Sequence, residues 1–444
     1  ARMTERKRIW GWFFFDWASQ PYSTLLITFI FAPYIKEIIG DGAQAQATWG
    51  FTVGAAGICI ALMAPILGAV ADIYGNRMRW IWVFSLFYVV GAAGLWLAEP
   101  VDYPLMLILF CFAFGLVGME FATIFTNSML PDLGPREDIG RISGKGWAFG
   151  YAGGLLALVA MLLLYAESAT TGKTLLGIDP ILGLDAAARE GTRFVGPFTA
   201  IWYLIFVIPF FLWVRDPKPA QAPEGALRTA LSGLANTIKT LPQTPSLFAY
   251  LGSSMFYRDA LNGMYFFGGI YAAGVLNWTI IDVGIFGILA ILAGAVLAWI
   301  GGHADDRFGP KTVIRICIIV LTIVSVCIIF VSRDSVFGIA VDPSSRLPDI
   351  AFYVLGAIIG AAGGVIQSAS RSMMVRQAKT GRMAEGFGLY ALTGKATSFV
   401  APLSVGAVTS ISGSQQLGIT PLILLFLVGL VLLRWVKTEG DQGP

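Results

Sequence analysis

Apolar residues in this chain come in long blocks rather than in alternation with polar ones. Between charged or Pro/Gly-rich breaks, blocks fall at approximately 10–38, 49–71, 79–98, 103–129, 143–165 and 194–214. A polar stretch from Arg215 to Pro245 follows, and six more blocks come at approximately 246–275, 279–303, 311–332, 349–374, 384–410 and 416–435. Each block is long enough, at about 1.5 Å rise per residue, to cross about 30 Å of hydrocarbon as a helix. The pattern predicts twelve transmembrane helices in two sets of six. The first block begins beyond Arg6, Lys7 and Arg8, but it is too long for a signal peptide and contains Asp16, so it is read as the first span.

Composition agrees with a lipid solvent. The 444 residues are 56% hydrophobic and 13% charged, with a mean hydropathy of +0.73, where soluble domains carry about a quarter charged residues. A net charge of +3 gives no nucleic-acid footprint. Placing both termini in the cytoplasm puts about 22 Lys and Arg residues on that side. About 6 lie opposite: Lys36, Lys173, Arg189, Arg193, Arg333 and Arg346. This bias predicts cytoplasmic termini and an even number of spans. Cys59, Cys111, Cys317 and Cys327 all lie in apolar blocks and imply no disulfide framework.

One short pattern occurs twice. After the second block the chain reads Gly68-Ala-Val-Ala-Asp72-Ile-Tyr-Gly75-Asn-Arg77, and after the eighth Gly302-His-Ala-Asp-Asp306-Arg-Phe-Gly309-Pro-Lys311. The first glycine suits close helix approach, the aspartate a cap or ion pair, the second glycine a tight turn, and the base an aqueous boundary. Two copies at corresponding helix ends predict a duplicated six-helix unit.

The repeated motif resembles the signature loop of the major facilitator superfamily. Further stretches resemble its vacuolar amino-acid effluxer-like family: Phe14-Phe-Asp16-Trp17-Ala18, Ser143-Gly-Lys-Gly-Trp147-Ala-Phe-Gly-Tyr151, Asp259-Ala-Leu-Asn262, Phe267-Gly-Gly-Ile-Tyr271, Gly363-Gly-Val-Ile-Gln367-Ser-Ala-Ser-Arg371-Ser372, and Phe387-Gly-Leu-Tyr390 with Gly394-Lys395. The resemblance spans nearly the whole chain. It implies an all-α membrane protein with two pseudo-symmetric six-helix bundles, residues 1–214 and 246–444, joined by a cytoplasmic linker at 215–245. It also implies alternating access, with amino acids as the substrate class of fungal members.

Ionisable groups far from helix ends are costly in a bilayer, by about 2.5–3.5 kcal/mol on insertion scales, and so mark cavities or partners. In the first block Asp16, Ser19, Gln20 and Ser23 form one polar stripe, expected to face a cavity, with Pro21 freeing a carbonyl or bending the helix. Asp16 is read either as a site carboxylate or as the partner of a nearby base. Glu120, Thr123 and Asn127 repeat the pattern in the fourth block. The seventh carries Arg258 and Asp259 near mid-depth, with Asn262 and Tyr265 following. One of that charged pair is expected to bind solute while the other pairs elsewhere, unless both form a structural ion pair. Gln367 and Arg371 share a face of the tenth block, and Lys395 lies deep in the eleventh.

These residues are expected to bind a small polar or charged solute, an amino acid or other organic anion or zwitterion, and to move protons with it. A lipid or drug-like amphiphile exporter of the same fold is the alternative. A membrane-embedded enzyme would need clustered metal ligands or a catalytic constellation, whereas His303 is the only histidine, and a sensor would carry an added domain. No cofactor or metal is expected. The expected partners are the solute, the bilayer and protons, with the chain monomeric in a bacterial inner membrane.

Overall fold

The computed structural model describes residues 2–74, 77–135, 139–216, 224–378 and 383–442. In chain order the helices are α1 (Arg2–Pro21), α2 (Phe31–Ile39), α3 (Gly42–Tyr74), α4 (Arg77–Gly94), α5 (Leu105–Ser128), α6 (Ile139–Ala160), α7 (Glu190–Arg193), α8 (Val195–Phe206) and α9 (Ile208–Trp213). They continue with α10 (Ala226–Thr240), α11 (Pro245–Val275), α12 (Ile280–Phe308), α13 (Pro310–Ile329), α14 (Leu347–Gln377), α15 (Met383–Ala396), α16 (Val400–Ser412), α17 (Gln415–Gly418) and α18 (Thr420–Leu432). A two-residue antiparallel hairpin, β1 (Ser335–Val336) with β2 (Ile339–Ala340), interrupts the loop before α14.

Ten helical stretches among the described residues are long and apolar enough to cross a membrane. Two of the twelve expected blocks fall outside that set for physical reasons. The 31-residue α11 is long enough, but Ser253, Ser254, Arg258, Asp259 and Asn262 dilute its apolar character. The block at 384–410, expected as one helix, is two: α15 ends at Ala396 and α16 starts at Val400. Pro402 falls in the first turn of α16, where a missing N–H leaves no hydrogen bond unmade.

The first block also departs from one regular helix. Beyond Pro21, residues Tyr22–Phe29 wind as a π-helix before α2. Proline has no N–H to offer the carbonyl four residues back. That carbonyl, on Trp17, instead accepts a hydrogen bond from Trp202 Nε1 at 3.0 Å.

The chain forms two compact units, Ala1–Ile27 with Ala55–Thr240, and Thr28–Gly54 with Leu241–Pro444. The first is cored by aromatic rings: Tyr22, Tyr88, Phe112 and Tyr203 are fully buried, with Tyr88 and Tyr203 stacked at 4.2 Å between centroids. Their hydroxyls are satisfied, Tyr22 by Phe112 O at 2.5 Å and Tyr203 by Ser85 Oγ at 2.5 Å. Buried tyrosines need such partners. Large apolar side chains such as Leu62, Trp82, Leu86, Met106 and Phe110 point outward instead, as a surface solvated by lipid requires.

The loop at 166–193 is ordered by one buried acid. Glu167, with no exposed side-chain area, pairs with Arg189 Nη1 at 2.9 Å and accepts from the backbone N–H of Thr192 at 3.1 Å. In the second unit, segment 28–54 packs into the helices of the later half of the sequence. Trp49 Nε1 donates to Phe266 O at 3.0 Å. Gln46, fully buried, donates to Thr409 Oγ1 at 2.9 Å and accepts from Gln415 Nε2 at 3.1 Å.

Candidate functional site

The break between α15 and α16 organises the charged residues of the second unit. A helix start exposes backbone N–H groups and a partial positive charge. At the start of α16 the Asp259 carboxylate, from the middle of α11, accepts from the N–H of Ala401 at 2.9 Å. On the other side of the break, Arg258 Nη1 donates to Tyr390 O at 2.9 Å, and its guanidinium lies 3.8 Å from the centre of the Tyr390 ring. Two adjacent residues of α11 thus grip the two halves of one broken helix. Among the described residues neither Arg258 nor Asp259 forms an ion pair, so neither the expected pairing of one of them elsewhere nor the alternative structural ion pair is seen.

Gly394 is explained by this grip. A Cβ there would lie 2.6 Å from Arg258 Nη2, so a side chain would displace the guanidinium. Tyr390 also lies parallel to Tyr250 of α11, with 3° between the rings. Tyr250 donates to Ser370 O at 2.6 Å, and Tyr257 OH lies 2.6 Å from Ser370 Oγ, which ties α11 to α14.

Lys395, half-buried, is the penultimate residue of α15 and stands at the break. Two residues on, the buried Thr397 hydroxyl has no hydrogen-bond partner among the described residues. Asn262 is exposed one turn along α11 from Arg258. Gln367 and Arg371 are half-buried on α14. The structure therefore gathers Arg258, Asp259, Tyr390, Lys395 and Thr397 around one helix break. An ammonium, a guanidinium, a carboxylate and an unpaired hydroxyl beside a helix break suit a small solute that carries charge, such as a zwitterion.

In the first unit Asp16 is half-buried on α1 and faces α6. A Cβ on Gly146 would lie 3.0 Å from Asp16 Oδ2, one on Gly150 3.1 Å from Asp16 Cβ, and one on Gly154 2.8 Å from Gln20 Cγ. The four-residue spacing of these glycines lets the polar stripe of α1 approach α6 closely. Ser19 is buried, and Ser23 contacts Met119 Sδ of α5 at 3.6 Å, so the stripe packs on two helices. Glu120 is half-buried and Asn127 exposed on α5.

Of the two signature loops, Gly75 lies outside the described residues, as do the side-chain environments of Gly68, Asp72, Gly302 and Asp306. Arg77 is held by three partners. Its Nη2 lies 2.7 Å from Asp216 Oδ1 and 2.9 Å from Asp132 Oδ2, and its Nη1 donates to Ser128 O at 2.9 Å. Gly309, at φ 85°, makes the turn between α12 and α13, where its left-handed backbone suits a residue without Cβ, and Lys311 follows it. Among the described residues no three His, Cys, Asp or Glu side chains form a metal cluster.

Sequence reasoning had no partner for Arg77, which proves to be Asp216 and Asp132, and passed over Thr397 and Ser370. Pro402 was the available signal for the helix break, because a proline inside a helical block marks a boundary just before it.

Helices of this length and hydrophobicity define a multi-pass helical membrane protein. Residues 135–442 match the family described as Vacuole effluxer Atg22 like, and residues 2–158 match the Major Facilitator Superfamily. The chain is a member of the Atg22-like family, within the major facilitator fold. It is 25% identical to the uncharacterized MFS-type transporter YxiO of Bacillus subtilis, over 97% of this chain and 94% of YxiO. It is 27% identical to autophagy-related protein 22-2 of Emericella nidulans, over 68% of this chain and 52% of that protein, and so spans about half the length of the fungal relative. The fold is shared with a bacterial homologue of the lysosomal transporter Spinster, at TM-score 0.66 and 12% identity over 100% of both chains. The nucleoside transporter NupG matches at TM-score 0.63 and 15% identity, over 97% of this chain and 98% of NupG.

Proposed function

We propose that this chain is a secondary transporter that moves a small charged or zwitterionic solute, an amino acid or related organic anion, by alternating access. The observation that carries this reading is the α11 grip on the broken α15–α16 helix, which sets Lys395, the unpartnered Thr397 hydroxyl, the Arg258 guanidinium and the Asp259 carboxylate at one break. Interrupted helices at mid-depth are where transporters of several folds place polar solutes. Family membership supports the transport class, and the name of the family suggests efflux.

The proposal includes twelve spans in two pseudo-symmetric halves, both termini on the cytoplasmic side, in a bacterial plasma membrane. The ten apolar spans are joined by α11 and by α15 with α16 to reach twelve. One parallel between the halves supports the symmetry: Asp16, on the first helix of one, lies against the fifth, and Asp259, on the first helix of the other, caps the broken fifth. Asp16 and Glu120 are assigned to proton coupling, and Asn262, Gln367 and Arg371 to lining the solute path.

The test is uptake of radiolabelled amino acids and small carboxylates into proteoliposomes, with and without a pH gradient. Accumulation of a zwitterion or anion, lost in Lys395→Ala, is the expected result. No transport of any such solute in either direction would overturn the substrate class, and full activity of Asp16→Asn and Glu120→Gln at every pH would overturn the proton assignment.

A further inference from the structure

α13 begins and α18 ends on the same side of the second unit, and a cavity of about 590 Å³ lies there. Three bases line it: Lys311 in the first turn of α13, and Arg434 and Lys437 just past α18. Among the described residues, none of these three side chains has a carboxylate or other hydrogen-bond acceptor as partner. The one acid in the lining, Glu439, is taken by Arg376 at 3.0 Å. Arg315, exposed one turn beyond Lys311, adds a fourth positive charge nearby. The start of α13 also has no side-chain cap, so its first N–H groups add to the positive field. Arg434 and Lys437 are exposed and Lys311 is half-buried, so the bases are open to an anion arriving from the head-group layer.

Depth decides what that anion is. The apolar spans Pro310–Ile329 and Gln415–Trp435 start and end beside this cavity, which puts it at the boundary between hydrocarbon and water. Trp435 in its wall is 61% exposed and Phe308 is 60% exposed, as aromatic side chains at that boundary are. We propose that this cavity is a binding site for the phosphate head group of an anionic membrane lipid, with Lys311, Arg434 and Lys437 as its ligands. The phosphodiester occupies the basic pocket and the acyl chains run beside Trp435 into the bilayer. Basic pockets between spans at head-group depth bind lipids by this chemistry.

The experiment uses the full chain in a neutral detergent, with thermal unfolding followed in the presence of phosphatidylglycerol, phosphatidylcholine or inorganic phosphate. Phosphatidylglycerol is expected to raise the unfolding midpoint a few degrees more than phosphatidylcholine does, as a ligand well above its Kd would. That excess should vanish in the K311Q/R434Q/K437Q variant and persist in K311R/R434K/K437R. An equal excess in the neutralised variant, or none in the wild type, overturns the site. A matching shift from inorganic phosphate alone overturns the lipid as its source. If the triple variant does not fold, native mass spectrometry of the wild type and of R434Q decides: retained phosphatidylglycerol must fall in R434Q, and unchanged retention overturns the proposal.

Discussion

Asp259 accepts a hydrogen bond from the N–H of Ala401 at 2.9 Å, joining the middle of α11 to the first turn of α16. A carboxylate placed at a helix start stabilises it by charge and by satisfying an N–H that would otherwise be buried and unpaired. Asp259→Ala should therefore lower stability by about 1–3 kcal/mol, the cost of an unsatisfied buried donor. Asp259→Asn keeps an accepting oxygen and should lose less. Thermal unfolding of the two variants in detergent checks the order, and an asparagine variant as damaged as the alanine one would show that the charge, not the hydrogen bond, matters.

The guanidinium of Arg258 occupies the space that a side chain at Gly394 would need. Gly394→Ala is expected to push Arg258 off Tyr390 and so to reproduce the loss of Arg258→Ala. The double variant should be no worse than either single one, a coupling on the order of the 0.5–3 kcal/mol seen for residues in contact. A double-mutant cycle on unfolding and on transport measures it; simple additivity would contradict the shared site.

Glu167 lies outside the spans, and burial pushes its carboxyl up more than Arg189 and the N–H of Thr192 pull it down. Its folded pKa therefore lies above the unfolded one, so this group's contribution to stability is present at low pH and is lost as pH rises through the folded value. Arg189→Leu removes a partner that lowers it and strands a buried charge, at a cost of about 3–5 kcal/mol near neutrality. That deficit should shrink as the pH is lowered from about 8 to about 5, because a protonated acid is cheaper to bury. Protease cleavage within 166–193, compared at the two pH values, reads the effect. A deficit that grows on acidification would refute it.

Arg77 has two acidic partners of unequal exposure, 11% for Asp216 and 42% for Asp132. Solvent screens the exposed pair, so the Arg77–Asp132 coupling should stay below about 1 kcal/mol. The Arg77–Asp216 coupling should exceed it, because Asp216 is the less exposed acid and the Arg77 side chain reaches it through Nε as well as Nη2. Parallel double-mutant cycles, each on the Arg77→Ala background, rank the two, and equal couplings would refute the ordering.

Much of this arrangement is written in residue type and spacing. Hydrophobic length marks ten of the spans. Pro21 announces the freed Trp17 carbonyl that Trp202 takes up. Periodicity shows that Asp16 and Gln20 share a face but not that the glycines of α6 meet that face. Spacing likewise places Arg258 and Asp259 on different sides of α11, yet their real partners are a carbonyl and an N–H, groups that every residue carries and no sequence pattern distinguishes. The partners of Arg77 lie 55 and 139 residues away, which no local pattern encodes.

Segment 28–54 should keep the chain together after a cut in the polar stretch between the two halves of the sequence. It belongs to the second unit, with Gln46 and Trp49 buried there, although it is covalently part of the earlier half. A protein severed within the polar stretch after Asp216 would keep its two fragments fastened, one reaching into the other like a tenon. Fragments made separately would have to thread that piece home before either half of the break could be called complete.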